Sequence, residues 1–146
     1  MTVKNDPLAI MLFSEIATVD QAARSRLKAA LPKGMEVSHF SVLNYFSHLG
    51  GEKTPAQLAR IFHVTKGAMT NTISRLSASG FVHVRPDWDD ARRKFISISP
   101  AGQTARDAAV TAIDPVFQDV IEKLGPDKIR AVLPLLRELR AALLAT

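Results

Sequence analysis

The segment from Thr65 to Arg75 spaces its polar groups as a helix would. Lys66, Gly67, Thr70, Asn71 and Ser74 fall on one face, opposite the apolar Met69, Ile73 and Leu76. Hydroxyl and amide groups on such a face can donate and accept at base edges in the major groove, and an asparagine can pair bidentately with adenine. Gly67 has no side chain and admits close backbone approach, while Lys66 and Arg75 suit phosphate oxygens, which fix register without reading sequence. Thr65 supplies the helix cap ahead of them. A second group follows at Asp90-Ala91-Arg92-Arg93-Lys94. An acid two residues before an arginine can hold the guanidinium in one direction, which suits the narrow, electronegative minor groove. Arg93 and Lys94 add cations for the phosphate backbone. The competing accounts are a solvated face on a structural helix and a merely soluble charged turn. Two such groups in sequence, behind a capped helix, favour contact with duplex DNA over both.

Charge marks the same segment. Between Lys53 and Phe95 there are eight basic residues and three acidic ones, a net +5, and the rest of the chain holds eleven of each. The formal charge of the whole protein, +5, therefore sits on this stretch. A localised basic surface is the usual footprint of a phosphate-backbone binder.

The elements that must position these groups follow from periodicity. Asp6 to Leu31 reads as one long helix, with Leu12, Ile16, Val19, Ala23, Leu27 and Ala30 as its apolar stripe, ended by Pro32 and Gly34. A second helix runs from Ser38 to His48 with Phe40, Val42, Leu43 and Phe46 inward, and Gly50-Gly51 turns the chain. Thr54, Pro55 and Gln57 spell a capping box for a third helix, with Leu58 and Ile61 inward. His63-Val64 makes the turn into the helix capped by Thr65, which Gly80 stops. Val82 and Val84, then Ile96 and Ile98, alternate with polar residues on either side of the loop Asp87 to Lys94, a β-hairpin with a projecting tip. Two helices close the chain, from about Ala101 to Leu124 and from Pro126 to Leu144. Ile113, Phe117, Val120 and Leu124 mark the inner face of the first. Ile129, Val132, Leu136, Leu139 and Leu143 mark that of the second. Pro115 and Pro134 fall inside them and predict kinks or local breaks.

The fold expected is mainly α with a small β-wing, a single domain over residues 1–146. A winged helix-turn-helix lobe occupies 35–100, and the helices at 6–34 and 101–146 serve dimerisation. Their stripes leave more apolar surface than a chain with a compact middle can cover, so a second copy would bury it, and a twofold dimer suits two half-sites. The alternative is that these helices pack only on their own chain.

In this arrangement the chain resembles the MarR family of bacterial transcription regulators along nearly its full length. The matching residues are Gln57-Leu58-Ala59, Val64 to Leu76 with Gly80 and Phe81, the wing Asp90-Ala91-Arg92, and the exit Ile96-Ser97-Ile98-Ser99-Pro100-Ala101-Gly102. The resemblance implies a triangular homodimer whose terminal helices interlock, with two wing-bearing lobes straddling a palindromic double-stranded DNA operator. It also implies that a small molecule relieves repression. The chain departs from the family at Asn71, Thr72 and Ser74, where arginine, an aliphatic residue and aspartate are more frequent, and at Gly67, where a small hydroxyl residue is common. Leu76-Ser77-Ala78-Ser79-Gly80 lacks the charges frequent before that glycine. These departures bear on operator sequence rather than on fold. Family effectors lodge between dimer helices and lobe, where Phe13, His39, Phe40, Tyr45 and Phe46 could line a cavity; core packing is the simpler account of these five.

Other functions find little support. Cysteine is absent, which removes disulfides, thiol redox sensing and thiolate metal sites. No apolar run approaches the roughly 20 residues of a membrane span, and the N-terminus has no hydrophobic signal region, so a cytoplasmic protein without membrane contact is expected. His39, His48, His63 and His83 show no metal-ligand spacing and read as turn or surface residues. No phosphate-cradling glycine loop or nucleophile elbow occurs, so neither cofactor, metal nor catalysis is expected. The remaining alternative is a winged-helix protein-interaction module that never touches DNA, against which stand the clustered cations of the wing.

Overall fold

The computed structural model describes residues 7–145, so Asp6, the expected start of the first helix, and the rest of the extreme N-terminus lie outside the described residues. The chain runs α1 (Leu8–Ala30), α2 (Val37–Leu49), α3 (Pro55–Phe62), α4 (Lys66–Ala78), β1 (Val82–Pro86), β2 (Lys94–Ile98), α5 (Pro100–Leu124) and α6 (Pro126–Leu144).

The lobe is built around one core. Val42, Leu43 and Phe46 of α2, Leu58 of α3, Leu76 of α4 and Ile96 of β2 are its most deeply buried side chains. Each contributes about 1.5–3 kcal/mol by leaving water. Two inward positions differ from expectation. In α2 it is His39 that is buried beside Val42, Leu43 and Phe46, and Phe40 is only half-buried. In α3, Ala59 is buried while Ile61 faces solvent. The inner face of that helix runs through Leu58, Ala59 and Phe62, which leaves Ile61 on its flank, and the helix ends at His63 in the left-handed conformation (φ 53°).

The two strands form an antiparallel hairpin in which Val82 faces Ile98 and Pro86 faces Lys94. Val82 and Ile96 are buried, whereas Val84 is exposed, because the hairpin extends past the core that covers its base. Lys94 belongs to β2 rather than to the loop. The hairpin is also stitched to the lobe from the other side. Lys53 donates its N–H to the Ile96 carbonyl at 3.0 Å and accepts from the Ile96 N–H at 2.8 Å. Gly50 and Gly51, both at positive φ (63° and 74°), aim the chain into that pairing.

The hairpin leads straight into α5. Ser99 caps the helix by accepting from the Gly102 N–H at 3.0 Å, and its hydroxyl donates to the Gly80 carbonyl at 2.6 Å. A Cβ on Gly102 would overlap the Phe81 carbonyl oxygen, so only glycine lets α5 pack this close to the start of β1. Pro115 and Pro134 do not break their helices. Each removes one ladder bond, to the carbonyl four residues back (Thr111 and Arg130), and the helix continues on both sides.

The terminal helices stay poorly covered. Ile16, Ala23, Leu27 and Ala30 of α1 are half-buried against the rest of the chain, while Leu12 and Val19 are exposed. In α5, Ile113, Phe117 and Val120 are half-buried and Leu124 is exposed; in α6 only Ile129 and Leu139 are half-buried, and Val132, Leu136 and Leu143 lie in solvent. Neither α1 nor α6 holds a fully buried residue. No described helix is long and apolar enough to cross a membrane.

Candidate nucleic-acid interface

Two helices and the hairpin set the geometry. The capping box at the start of α3 forms as its sequence predicts: Gln57 N–H donates to Thr54 Oγ1 at 3.2 Å, and Gln57 Oε1 accepts from Thr54 N–H at 2.8 Å. After the left-handed turn at His63, Val64 N–H closes onto the Ala59 carbonyl at 3.0 Å. Thr65 Oγ1 then accepts from Ala68 N–H at 3.1 Å and starts α4. The hydroxyl of Thr65 is thus used within the chain.

On α4, Met69, Thr72, Ile73 and Leu76 are buried. Thr72 tolerates this by donating its hydroxyl to the Ala68 carbonyl at 3.1 Å. Lys66, Gly67, Thr70, Asn71, Ser74 and Arg75 are exposed. Among the described residues no hydrogen bond occupies the side chains of Thr70, Asn71 or Ser74, so their donors and acceptors are available to a ligand. A Cβ on Gly67 would meet nothing within 4 Å. No packing within the chain therefore calls for glycine there.

The wing is organised differently, because its charged groups hold one another. Asp90 Oδ1 accepts from the Arg92 N–H at 3.0 Å and from Arg92 Nε at 3.2 Å, and the Asp90 carbonyl accepts from Arg93 N–H at 3.0 Å. The Arg92 backbone N–H and guanidinium, with the nearby Arg93 charge, hold the Asp90 carboxyl below its usual range. Arg93 reaches Asp87 at 3.6 Å and lies 5.7 Å from the centre of the Phe95 ring. Asp87 N–H donates to the Arg93 carbonyl at 3.0 Å, and Asp87 Oδ1 accepts from Asp89 N–H at 2.9 Å. The loop is thereby ordered, yet the Arg92 side chain remains 91% exposed. An aimed, solvent-facing guanidinium is the arrangement its sequence suggested.

One basic residue of the charged segment is already spent. Arg85 forks onto Glu52, Nε to Oε1 at 2.9 Å and Nη2 to Oε2 at 2.7 Å, and stacks 4.6 Å from the centre of the Phe95 ring. Its hydrogen bonds hold the Glu52 carboxyl below its usual range and raise Arg85. Glu52 lies one residue before the segment whose charge was counted, so the basic surface is weaker by one than its sequence implies. The pair also ties the turn before α3 to the wing.

Arg75 borders a cavity of about 490 Å³ between the α1–α2 turn, the end of α4 and the start of α5. Met35, His39, Leu76, Phe81 and Ala105 line it as well. His39 is buried rather than a turn or surface residue. Its Nδ1 accepts from Glu36 N–H at 3.1 Å, which requires the unprotonated nitrogen. Burial lowers its pKa; Glu36 opposes that and Arg75 adds to it. The five residues considered for an effector site do not come together in one chain. His39 lines this cavity, Phe40 and Tyr45 line a separate open groove with Leu27 and Phe62, Phe46 is in the core, and Phe13 is exposed on α1.

Sequence reasoning passed over Glu52 and Trp88. Nothing local marks Glu52, because its partner is 33 positions away. Trp88 carried a signal: it is the only tryptophan of the chain and stands in a polar loop.

Residues 33–93 match the sequence profile of the MarR family. No curated protein sequence matches the chain. Among solved structures, the transcriptional regulator BldR from Sulfolobus solfataricus superposes with a TM-score of 0.80 at 20% identity, covering 96% of this chain and 99% of that one. A mutant of MarR from E. coli complexed with operator DNA gives 0.73 at 23% identity, covering 92% and 99%. BpsR of Bordetella bronchiseptica, described for regulation of its DNA binding by 6-hydroxynicotinic acid, gives 0.76 at 18% identity, covering 89% and 98%. None of the three is described as an enzyme. Residues 33–93 are thus similar to the MarR family, and across its described length the chain has the winged helix-turn-helix fold of these solved regulators.

Proposed function

We propose that the protein is a DNA-binding transcriptional regulator, a ligand-responsive repressor that grips a palindromic operator as a homodimer. The observation that carries this reading is the pairing of two surfaces on one lobe. The α4 face presents Thr70, Asn71 and Ser74 uncommitted, and the wing presents Arg92 aimed by Asp90 into solvent. In this role α4 enters the major groove with its N-terminal end nearest the bases, and Arg92 enters the adjoining minor groove. Lys66, Arg93 and Lys94 meet phosphates. The uncovered apolar faces of α1, α5 and α6 support burial against a second copy, which would set two lobes on two half-sites.

The cavity beside Arg75 supports the effector part of the reading. Arg75, Lys33 and His39 around an apolar floor suit a small organic anion. Because Arg75 belongs to α4, an anion there would draw on the helix that reads DNA, and the named ligand of the Bordetella relative is of this chemical kind. Selection of bound sequences from a random duplex pool tests the whole. A twofold-symmetric motif is expected; recovery of no enriched sequence would refute operator recognition.

A further inference from the structure

The geometry points to Trp88 as a second minor-groove contact of the wing, an indole packed against the deoxyribose walls beside the groove entered by Arg92. This rests on the DNA-binding reading above. Trp88 is 83% exposed, the most exposed of the large apolar side chains described. It does not sit on a floppy tip. The loop that carries it is closed by Asp87 N–H to the Arg93 carbonyl at 3.0 Å and by Asp89 N–H to Asp87 Oδ1 at 2.9 Å. Holding so large an apolar surface in water on an ordered loop forgoes its burial free energy unless a partner covers it.

The character of the tip selects the partner. Charged residues are depleted around the buried aromatic anchors of protein–protein interfaces, whereas Trp88 is flanked by Asp87 and Asp89, with Asp90 and Arg92 next along the loop. Two of the three acids are occupied by arginines, Asp87 by Arg93 at 3.6 Å and Asp90 by Arg92 at 3.2 Å. Only Asp89, among the described residues, keeps a carboxylate without a cation and opposes the phosphates. The loop therefore offers a duplex one aimed cation and one aromatic face. A minor groove takes that combination, since apolar side chains pack into it where arginines also enter.

Because the chain has a single tryptophan, its emission reports this loop alone. The intact protein would be titrated with a labelled duplex recovered from the random pool, following duplex anisotropy and indole emission together. The expected result is a rise in anisotropy with a blue-shifted emission protected from iodide. Trp88→Ala should then bind roughly tenfold more weakly, the scale of one lost aromatic contact to nucleic acid, with unchanged salt dependence because no charge is lost. Trp88→Phe should recover most of the affinity. A rise in anisotropy with emission unmoved, or Trp88→Ala binding as tightly as the parent, overturns the inference and leaves DNA binding standing. No rise in anisotropy on any duplex overturns both.

Discussion

Helix α4 and the wing, the two surfaces of the proposed DNA interface, are prepared in opposite ways. On α4 the exposed side chains are short, polar and uncommitted, whereas in the wing every arginine is already held, Arg85 by Glu52, Arg92 by Asp90 and Arg93 by Asp87. Such exposed pairs add little to stability. Their effect is to fix direction, so that in the proposed complex Arg92 would have less conformational entropy left to lose. The helix keeps free hydrogen-bonding groups, which is what discrimination between bases needs. On the proposed reading the difference amounts to a division of labour, in which the wing would supply affinity through a pre-aimed charge and the helix selectivity through small polar groups.

Arg92→Ala should cut this division at its strongest point. Loss of the aimed cation is expected to weaken binding by one to two orders of magnitude and lower the salt slope by about one, read by anisotropy over a salt series. An unchanged slope would remove the wing from the interface. Asn71→Ala comes next. It should erase preference at one base pair of each half-site, about 1–3 kcal/mol of discrimination, seen when selection is repeated with the variant; an unaltered motif would deny α4 its reading role. Gly67→Ala is smaller and separates fold from function. Open space around Gly67 and the gain in helix propensity, about 1 kcal/mol, predict unchanged or higher thermal stability. If the backbone approaches DNA there, affinity falls severalfold all the same.

The smallest effect concerns the cavity side of the lobe. His39 has a lowered pKa in the folded chain, so the unfolded chain binds its proton more readily and stability must fall as pH drops below about 6.5. His39→Gln retains a side chain able to accept from Glu36 N–H but cannot titrate. It should flatten the pH dependence of unfolding in that range, and a parental profile in the variant would show that another group carries it.

Most of the frame is legible in the sequence, because local rules govern it. Thr54 with Gln57, and Thr65 before α4, announce their helices; the spacing of Met69, Ile73 and Leu76 places the polar face by elimination; and Asp90 with Arg92 interact within three residues. What escapes is non-local or atypical. Glu52 meets Arg85 only because the hairpin folds back beside the turn before α3. The second capping box, Glu36 with His39, lacks the glutamate or glutamine that usually signals one. Ile61 keeps the spacing of an inward residue, yet the inner face of α3 runs through Leu58, Ala59 and Phe62 instead. The cavity draws on α1–α2, α4 and α5 together, so no stretch of chain encodes it. The exposed stripes of α1 and α6 find no cover within one chain, and on the homodimer reading their cover is a second copy, whose placement periodicity alone does not give.

The division between wing and helix is tested most directly by one double-mutant measurement. Arg92→Ala, Asn71→Ala and the combined variant would be titrated against a selected duplex and a random duplex of equal length. The account predicts that Arg92→Ala weakens binding by a similar factor on both, that Asn71→Ala weakens it on the selected duplex alone, and that the two losses add there, as separated contacts do. Equal losses on both duplexes for Asn71→Ala, or no loss on either for Arg92→Ala, would contradict it.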